Sequence, residues 1–560
     1  MIDSSDTEGS RVDRAIWTTM DVLRRHWFFA LLVAAGLLLR VIAQIGYQPA
    51  LLFIDSKKYI FGTEFSTTEW GSYDPIGYTL LVLRPVLMFG NLALVAALQH
   101  LLGLGMAAAL YVLLQRRGVT RWLAALAVAP VLLDAYQLNA EQTIMPDVLF
   151  EALVVAGIVL LLWQPRPGLA LVVLGGLALG TSAPVRQVGE ALIVPALVYV
   201  LAVTRGWRRR VLYGTVLTFC FCLPVVGYMG YSAVVLHYGF ELSNMGDAYL
   251  YGRAAHAADC ATLKIPADER PLCPTPAQQA EFGVDGLVNS PVAPRVLYSP
   301  VNIKLGVLIN TLPMQKALAY SVIKQQPLRV AGDIAKDSIK IFALTRDTDE
   351  GDTPISRWQF QTSYPYYKPG ITPYGRNSAN KVFQQTGGGT AGIYLPAETL
   401  LRDYQLHGGY TPGPVLLLAL LAGIAGIFTW RPRRDPAGQG PQGQALACLL
   451  ITVSAVAVLL GADLYEFSWR YQLPALITLP IAGALGATAI AGHIRQRRPA
   501  MVTAPEVTAP EVTAPEVTAP EVTAPEVTAP KVPAVISSAQ LTIEAGAADE
   551  LAVAGSEQVP

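Results

Sequence analysis

Residues 27–47, WFFALLVAAGLLLRVIAQIGY, form an apolar run long enough to cross a bilayer as one helix. A backbone inside hydrocarbon has no water to bond with, so such a run must close its hydrogen bonds on itself. Nine more runs share this character, at about 92–114, 120–138, 147–163, 168–185, 188–204, 211–236, 412–430, 444–462 and 471–493. Hydrophobic residues make up 52% of the 560 residues, charged residues only 15%, and the mean hydropathy is +0.40. These values exclude an ordinary soluble protein of this length. The expectation is an all-α polytopic membrane protein with about ten transmembrane helices. Residues 1–26 are polar, so the run from Trp27 reads as a signal anchor and not a cleavable leader. Net charge is zero, which argues against a nucleic-acid partner and leaves the lipid bilayer as the expected surroundings.

Basic residues mark alternate seams between these runs. They are Arg24 and Arg25; Arg116, Arg117 and Arg121; Arg166; Arg205 with Arg208 to Arg210; Arg431, Arg433 and Arg434; and Arg495, Arg497 and Arg498. All fall on one side if both termini are cytoplasmic, as the positive-inside rule requires. The chain then divides into a cytoplasmic segment 1–26, an N-terminal module 27–236 with an external loop 48–91, an extracytoplasmic cap 237–411, C-terminal helices 412–493 and a tail 494–560. The cap is too long for a connector, and loops of that length are usually functional. It holds a helix-like stretch at 302–342 and a Gly-rich stretch QQTGGGTAGIY. The tail repeats VTAPE, whose regular proline forbids helix and whose composition forbids a core, so disorder is expected.

Cys220, Cys222 and Cys448 lie in apolar runs, while Cys260 and Cys273 lie in the polar cap. Outside the cell a Cys260–Cys273 disulfide is expected, contributing about 3 kcal/mol in the chain-entropy model.

The chemistry-bearing residues sit at the outer ends. In FIDSKKYIFG, Asp55, Lys58, Tyr59 and Gly62 share one face of a helix. The plain reading is an interfacial helix anchored by Lys and Tyr. The functional reading is a general base, Asp55, beside cations able to hold a lipid phosphate. YDPIGYTLLVLRP places Asp74 just before a Pro75–Gly77 turn back into the membrane. NAEQTIMPDVLFEALV places Glu141 and Asp147 at the outer end of the third and fourth runs. Asp147 also suits the positive end of a helix dipole and could be a first-turn residue.

An acidic first external loop, a P-x-G-Y re-entry and an acidic residue opening the fourth run resemble the GT-C class of glycosyltransferases. The closer resemblance is to bacterial relatives of dolichyl-phosphate-mannose protein mannosyltransferases and of lipid A aminoarabinose transferase. LGTSAPVRQVGEALIVPALVYVL is similar to the family's glycine, outer-turn arginine and helix proline, here Gly180, Arg186 and Pro195. EFSWRYQLPALITLPIAGAL resembles its late R-Y-x-x-P element, here Arg470, Tyr471 and Pro474. The resemblance covers roughly 27–235 and 412–493. It implies a transfer of sugar, mannose or arabinose among the candidates, from a polyprenyl-phosphate donor to an extracytoplasmic acceptor. It implies Asp55 as the base, with Asp74 and Asp147 as further catalytic candidates. Arg186 and Arg470, supported by Lys57 or Lys58, would hold the phosphate, and Tyr59, Glu141, Tyr471 and the cap's Arg253 would line the substrate site. Many members carry an adjacent acidic pair where this chain has Asp55 followed by Ser56. A divalent metal is therefore possible but not indicated, and no cofactor is certain. The six histidines show no zinc spacing, and there is no P-loop or G-x-G-x-x-G nucleotide fingerprint. The rival classes are a transporter or lipid flippase and a non-catalytic scaffold. The acidic groups cluster at outer helix ends, Asp134 and Glu151 excepted, where a transporter would place them at the midplane.

Overall fold

The computed structural model describes residues 21, 24–53, 55–61, 74–237, 239–243, 245–267, 269–289, 312–362, 376–429 and 441–497. All belong to the compact unit Met1–Arg498. The VTAPE tail, Gly62, and the 302–311 part of the helix-like cap stretch lie outside the described residues.

The protein is a mostly helical membrane protein. The N-terminal module contains α1 (Trp27–Gly46), α2 (Ser56–Phe61), α3 (Leu92–Arg116), α4 (Arg121–Leu133), α5 (Ala135–Gln142), α6 (Asp147–Leu162), α7 (Leu169–Val185), α8 (Ile193–Val203) and α9 (Trp207–Tyr231). The cap supplies α10 (Met245–Ala257), α11 (Pro276–Asn289), α12 (Leu312–Gln325), α13 (Pro327–Ile339), α14 (Arg376–Thr386) and α15 (Leu395–Leu406). The last three are α16 (Gly413–Ile427), α17 (Pro441–Asp463) and α18 (Leu473–Arg497). Among the described residues the sheet is one antiparallel ribbon, pairing Tyr47 with Ile393 and Gln48 with Gly392.

A helix occupies each of the ten expected runs, but their lengths differ from expectation. Among the described residues, five helical stretches are long and apolar enough to span: α1, α3, Trp207–Leu236, Gly443–Asp463 and Leu473–Arg495. The expected 120–138 span is a broken pair, α4 and α5, bent by 47°. The apolar stretches Leu169–Val185, Gln187–Val203 and Gly413–Ile427 are shorter, and α6 has 16 residues, about 24 Å at 1.5 Å per residue. α1 turns Trp27, Leu31 and Leu38 outward, as a lipid-facing helix must. The segment expected to re-enter the membrane after Pro75 is helical, a π-turn at Thr79–Leu83 running into a single turn at Arg84–Leu87.

The α4–α5 break is fully accounted for in hydrogen bonds. The last four carbonyls of a helix need partners from outside it. Pro130 O accepts from Asp134 N at 3.0 Å, and Arg40 donates to Val131 O at 2.9 Å and Leu132 O at 2.8 Å. Tyr404 of the cap donates to Leu133 O at 2.6 Å. Asp134 then caps α5 by accepting from Tyr136 N at 3.0 Å. Arg40 also pairs with Glu141 at 2.8 Å, and Glu141 pairs with His100 at 2.9 Å. This places Glu141 fully buried inside the bundle, where it was expected to line the substrate site, and it is not among the residues lining the cavity described below.

Close packing of small residues joins the helices, the usual device where lipid gives no hydrophobic drive. A Cβ at Gly180 would overlap the Phe221 carbonyl of α9. A Cβ at Gly77 would overlap the Pro184 carbonyl, so this glycine lets the re-entry lie against the end of α7. The Gly77 contact brings the end of the first loop beside Arg186, two residues past Pro184.

Candidate active site

Ser56 explains how Asp55 is presented. Its hydroxyl accepts from Phe53 N at 2.7 Å and donates to Ile144 O at 2.9 Å, and the residue is 0% exposed. One side chain thus ties the first loop to the segment before α6 and starts α2. The turn sets Lys58 three residues beyond Asp55, with Lys58 Nζ 3.0 Å from Asp55 Oδ1. Lys58 also pairs with Asp74, across the re-entry. Lys57 lies on α2 with its side chain outside the described residues.

Asp147 opens α6 at 1% exposure. Arg470 Nε donates to both its oxygens, at 3.0 and 2.9 Å, and Arg186 Nη1 donates to Oδ1. Arg470 Nη1 reaches Asp55 Oδ2 at 3.3 Å. The result is one alternating chain: Arg186, Asp147, Arg470, Asp55, Lys58, Asp74. Three cations meet three aspartates, drawn from the first loop, the re-entry, α6, the end of α7 and the α17–α18 turn. Aromatic rings brace the guanidiniums. The Tyr471 ring lies 4.6 Å from Arg186 and 5.3 Å from Arg470, and the Trp358 ring 5.5 Å from Arg470.

A cavity of about 780 Å³, partly open to solvent, adjoins this chain. Asp55, Lys58, Tyr59, Asp74, Arg186, Arg470 and Tyr471 all line it. Asp147 lines a neighbouring cavity with Arg470 and Trp358, so it faces the arginines and not the larger space. Burial opposes ionisation of Asp55, but Lys58 and Arg470 outweigh it and hold the carboxyl below the usual carboxylate range. Lys58 is likewise opposed by burial and is raised by Asp55 and Asp74. Each group's partners thus favour its charged form.

Arg253 does not belong here. It is 0% exposed in the cap, where it pairs with Asp333 and Asp337 at 2.6 Å each. Its partners stand 80 and 84 positions later, which no local pattern announces. Cys260 and Cys273 form a disulfide with their Cα atoms 5.9 Å apart, directly after α10. Among the described residues no group of three His, Cys, Asp or Glu side chains is arranged to hold a metal.

Glu466, Tyr249 and Gln187 also line the cavity, and sequence reasoning did not single them out. Glu466 stands four residues before Arg470, the one signal that could have found it. Burial, then Asp285, push its carboxyl well above the usual carboxylate range, with Asp55 adding to them and Thr353 and Arg470 opposing. Behind it lies a second cavity of about 460 Å³, rich in cap carboxylates.

No family model, curated protein or solved structure matches the chain. The fold and site alone define its class: a helical membrane protein with a partly buried, charge-balanced ion-pair cluster beside a cavity.

Proposed function

We propose that this protein is an integral-membrane glycosyltransferase. It moves a sugar from a polyprenyl-phosphate carrier to an extracytoplasmic acceptor, a protein, glycolipid or cell-wall glycan. The observation that supports this most is the convergence of Asp55, Lys58, Arg186 and Arg470, distant in sequence, on one cavity. The acceptor oxygen attacks the anomeric carbon, and the bond from that carbon to the phosphate oxygen breaks. The electron pair leaves with the polyprenyl phosphate, and the acceptor proton passes to Asp55. Attack opposite the phosphate inverts the anomeric centre. Arg186 and Arg470, with Lys58 in support, stabilise the leaving phosphate.

All ten helical runs cross in this reading, in a GT-C-like arrangement with both termini cytoplasmic. The support is that cluster residues and basic seams occupy opposite helix ends. α6 starts at Asp147 and is followed by Arg166, and α18 starts after Arg470 and ends at Arg495 and Arg497.

A transporter would draw on the buried Arg40–Glu141–His100 group. Arg40, however, spends two of its bonds on the carbonyls of the α4 break, a structural duty. The deciding experiment uses purified protein in lipid with a panel of radiolabelled polyprenyl-phosphate sugars and acceptor-containing membranes. Turnover of one donor by the wild type, lost in Asp55→Asn while carrier binding remains, is the expected result. Undiminished turnover in that variant removes Asp55 as the base. Absence of turnover with every donor favours transport.

A further inference from the structure

We propose that Glu466 is a second catalytic residue, which donates its proton to a phosphoryl oxygen of the departing carrier while Asp55 receives the acceptor proton. The proposal rests on the donor-phosphate reading above and adds a role that reading leaves empty.

The geometry is the first support. Glu466 lines the same cavity as Asp55, Lys58, Arg186 and Arg470, yet it is only 7% exposed. Asp55 and Asp74, the other carboxyl groups lining that cavity, are each held by a cation. Glu466 has no ion pair among the described residues. Its hydrogen-bond partner is Thr353 of the cap, whose hydroxyl donates to Oε1 at 2.9 Å. A carboxyl buried without a cation stays neutral sooner than it stays charged.

Its surroundings reinforce this. Asp285 of α11 and Asp55 across the cavity are both acidic, and Tyr249 of α10 and Tyr471 are its phenolic neighbours. Arg470 is the cation that opposes this, and that side chain is already shared between Asp147 and Asp55. On the far side, in the second cavity, Lys340 is committed to Asp337, Asp349 and Asp352. Two carboxyls in one cavity thus have opposite environments. Asp55 is kept ionised between cations, and Glu466 is pushed up by burial and by its acidic neighbours. Such a split is how a site assigns a base and an acid.

The proton balance closes. The acceptor oxygen–carbon bond forms and the carbon–oxygen bond to phosphate breaks. One proton moves from the acceptor hydroxyl to Asp55, and one from Glu466 to the carrier phosphate. Solvent resets both carboxyls after release. A neutral carboxyl also adds a donor without adding repulsion to the arriving phosphodiester, a monoanion, and it answers the extra charge that develops on the departing phosphate.

The test follows binding of a long-chain polyprenyl phosphate, and turnover of its sugar conjugate, against pH in lipid nanodiscs. Wild-type binding and turnover should both fall as pH rises through ionisation of Glu466. Glu466→Gln keeps a hydrogen-bond donor and the Thr353 contact but cannot ionise. Its binding should lose the alkaline fall, while its turnover should drop on the order of a hundredfold. Thr353→Val removes the hydrogen bond that favours the ionised form, so the alkaline limb should move to higher pH. An unchanged alkaline limb in Glu466→Gln, or turnover within about twofold of wild type, overturns the assignment. Failure of the wild type to bind polyprenyl phosphate at any pH overturns the donor-phosphate reading and this role with it. Loss of turnover in Asp55→Asn with none in Glu466→Gln overturns this role alone.

Discussion

Asp147→Asn is the substitution whose two effects should run in opposite directions. Asp147 is 1% exposed and accepts Arg470 Nε through both oxygens, at 3.0 and 2.9 Å, and Arg186 through one. An asparagine keeps the shape but turns one oxygen into a donor facing a guanidinium. Breaking a buried ion pair costs about 3–5 kcal/mol. The lower end applies here, because Asp55 still stands 3.3 Å from Arg470 and keeps that cation partly compensated. The variant should therefore melt earlier in lipid, read by a thermal shift in detergent or nanodiscs. The site charge meanwhile rises by one, from three cations against three aspartates. A freed guanidinium can offer a phosphate one more charge-assisted hydrogen bond, about 1.5–3 kcal/mol. Polyprenyl phosphate should bind about tenfold or more tighter, while turnover falls because the arginines are no longer fixed. Binding at least tenfold weaker in a variant with native melting would refute the reasoning, since Asp147 would then touch the ligand itself.

Two further substitutions test the frame around the site. Ser56→Asp restores the adjacent acidic pair of the resembling family, but it places a carboxylate at a fully buried position that bridges Phe53 and Ile144. We expect loss of folded protein by size-exclusion chromatography, and a well-folded, metal-dependent variant would contradict the account of Ser56. Arg253→Met leaves Asp333 and Asp337 without their arginine, at about 3 kcal/mol after allowing for His256 and Lys340. The cap should become protease-sensitive at neutral pH. Burial raises the Asp333 carboxyl, but His256 and Arg253 hold it lowered, so the stability it contributes is present above its unfolded pKa and lost on acidification. The gap between wild type and variant should thus narrow as pH falls through the carboxylate range, and a constant gap would count against the ion-pair explanation.

Helices and their positions were legible because apolar length is a local property. Asp55 and Lys58 were legible for the same reason, being three residues apart on one turn. The convergence of Asp147, Arg186 and Arg470 was legible only as a shared end of the apolar runs, opposite the basic seams. Partners were not legible. Glu141 and Arg253 have the residue types of ligand-binding groups, but their charges are spent on Arg40 and on Asp333 and Asp337, far away in the chain. The break at Asp134 was hidden because it lies within a continuous apolar run, and what permits it, Arg40 and Tyr404 on the loose carbonyls, comes from two other regions. Trp358, against Arg470, belongs to a cap stretch with no periodic signal.

The neutrality of the ion-pair chain bears on how a phosphate would enter on the transferase reading. Every cation is already answered by a carboxylate, so an arriving phosphate gains little by simple addition. It gains by exchange, taking a guanidinium edge or the Lys58 ammonium from an aspartate. Asp55 is the aspartate most open to such exchange. Its side chain is 26% exposed against 2% for Asp147, and its Arg470 contact, at 3.3 Å, is the longest in the chain. A phosphate that drew Lys58 or Arg470 toward itself would remove what holds the Asp55 carboxyl down. Donor binding would then raise the basicity of Asp55 at the moment a base is needed, and an unloaded site would keep a poor base that does not activate water. On that reading the ion pairs hold Asp55 in check until a phosphate competes for its cations, with Ser56 fixing the loop so that the exchange moves side chains and not backbone.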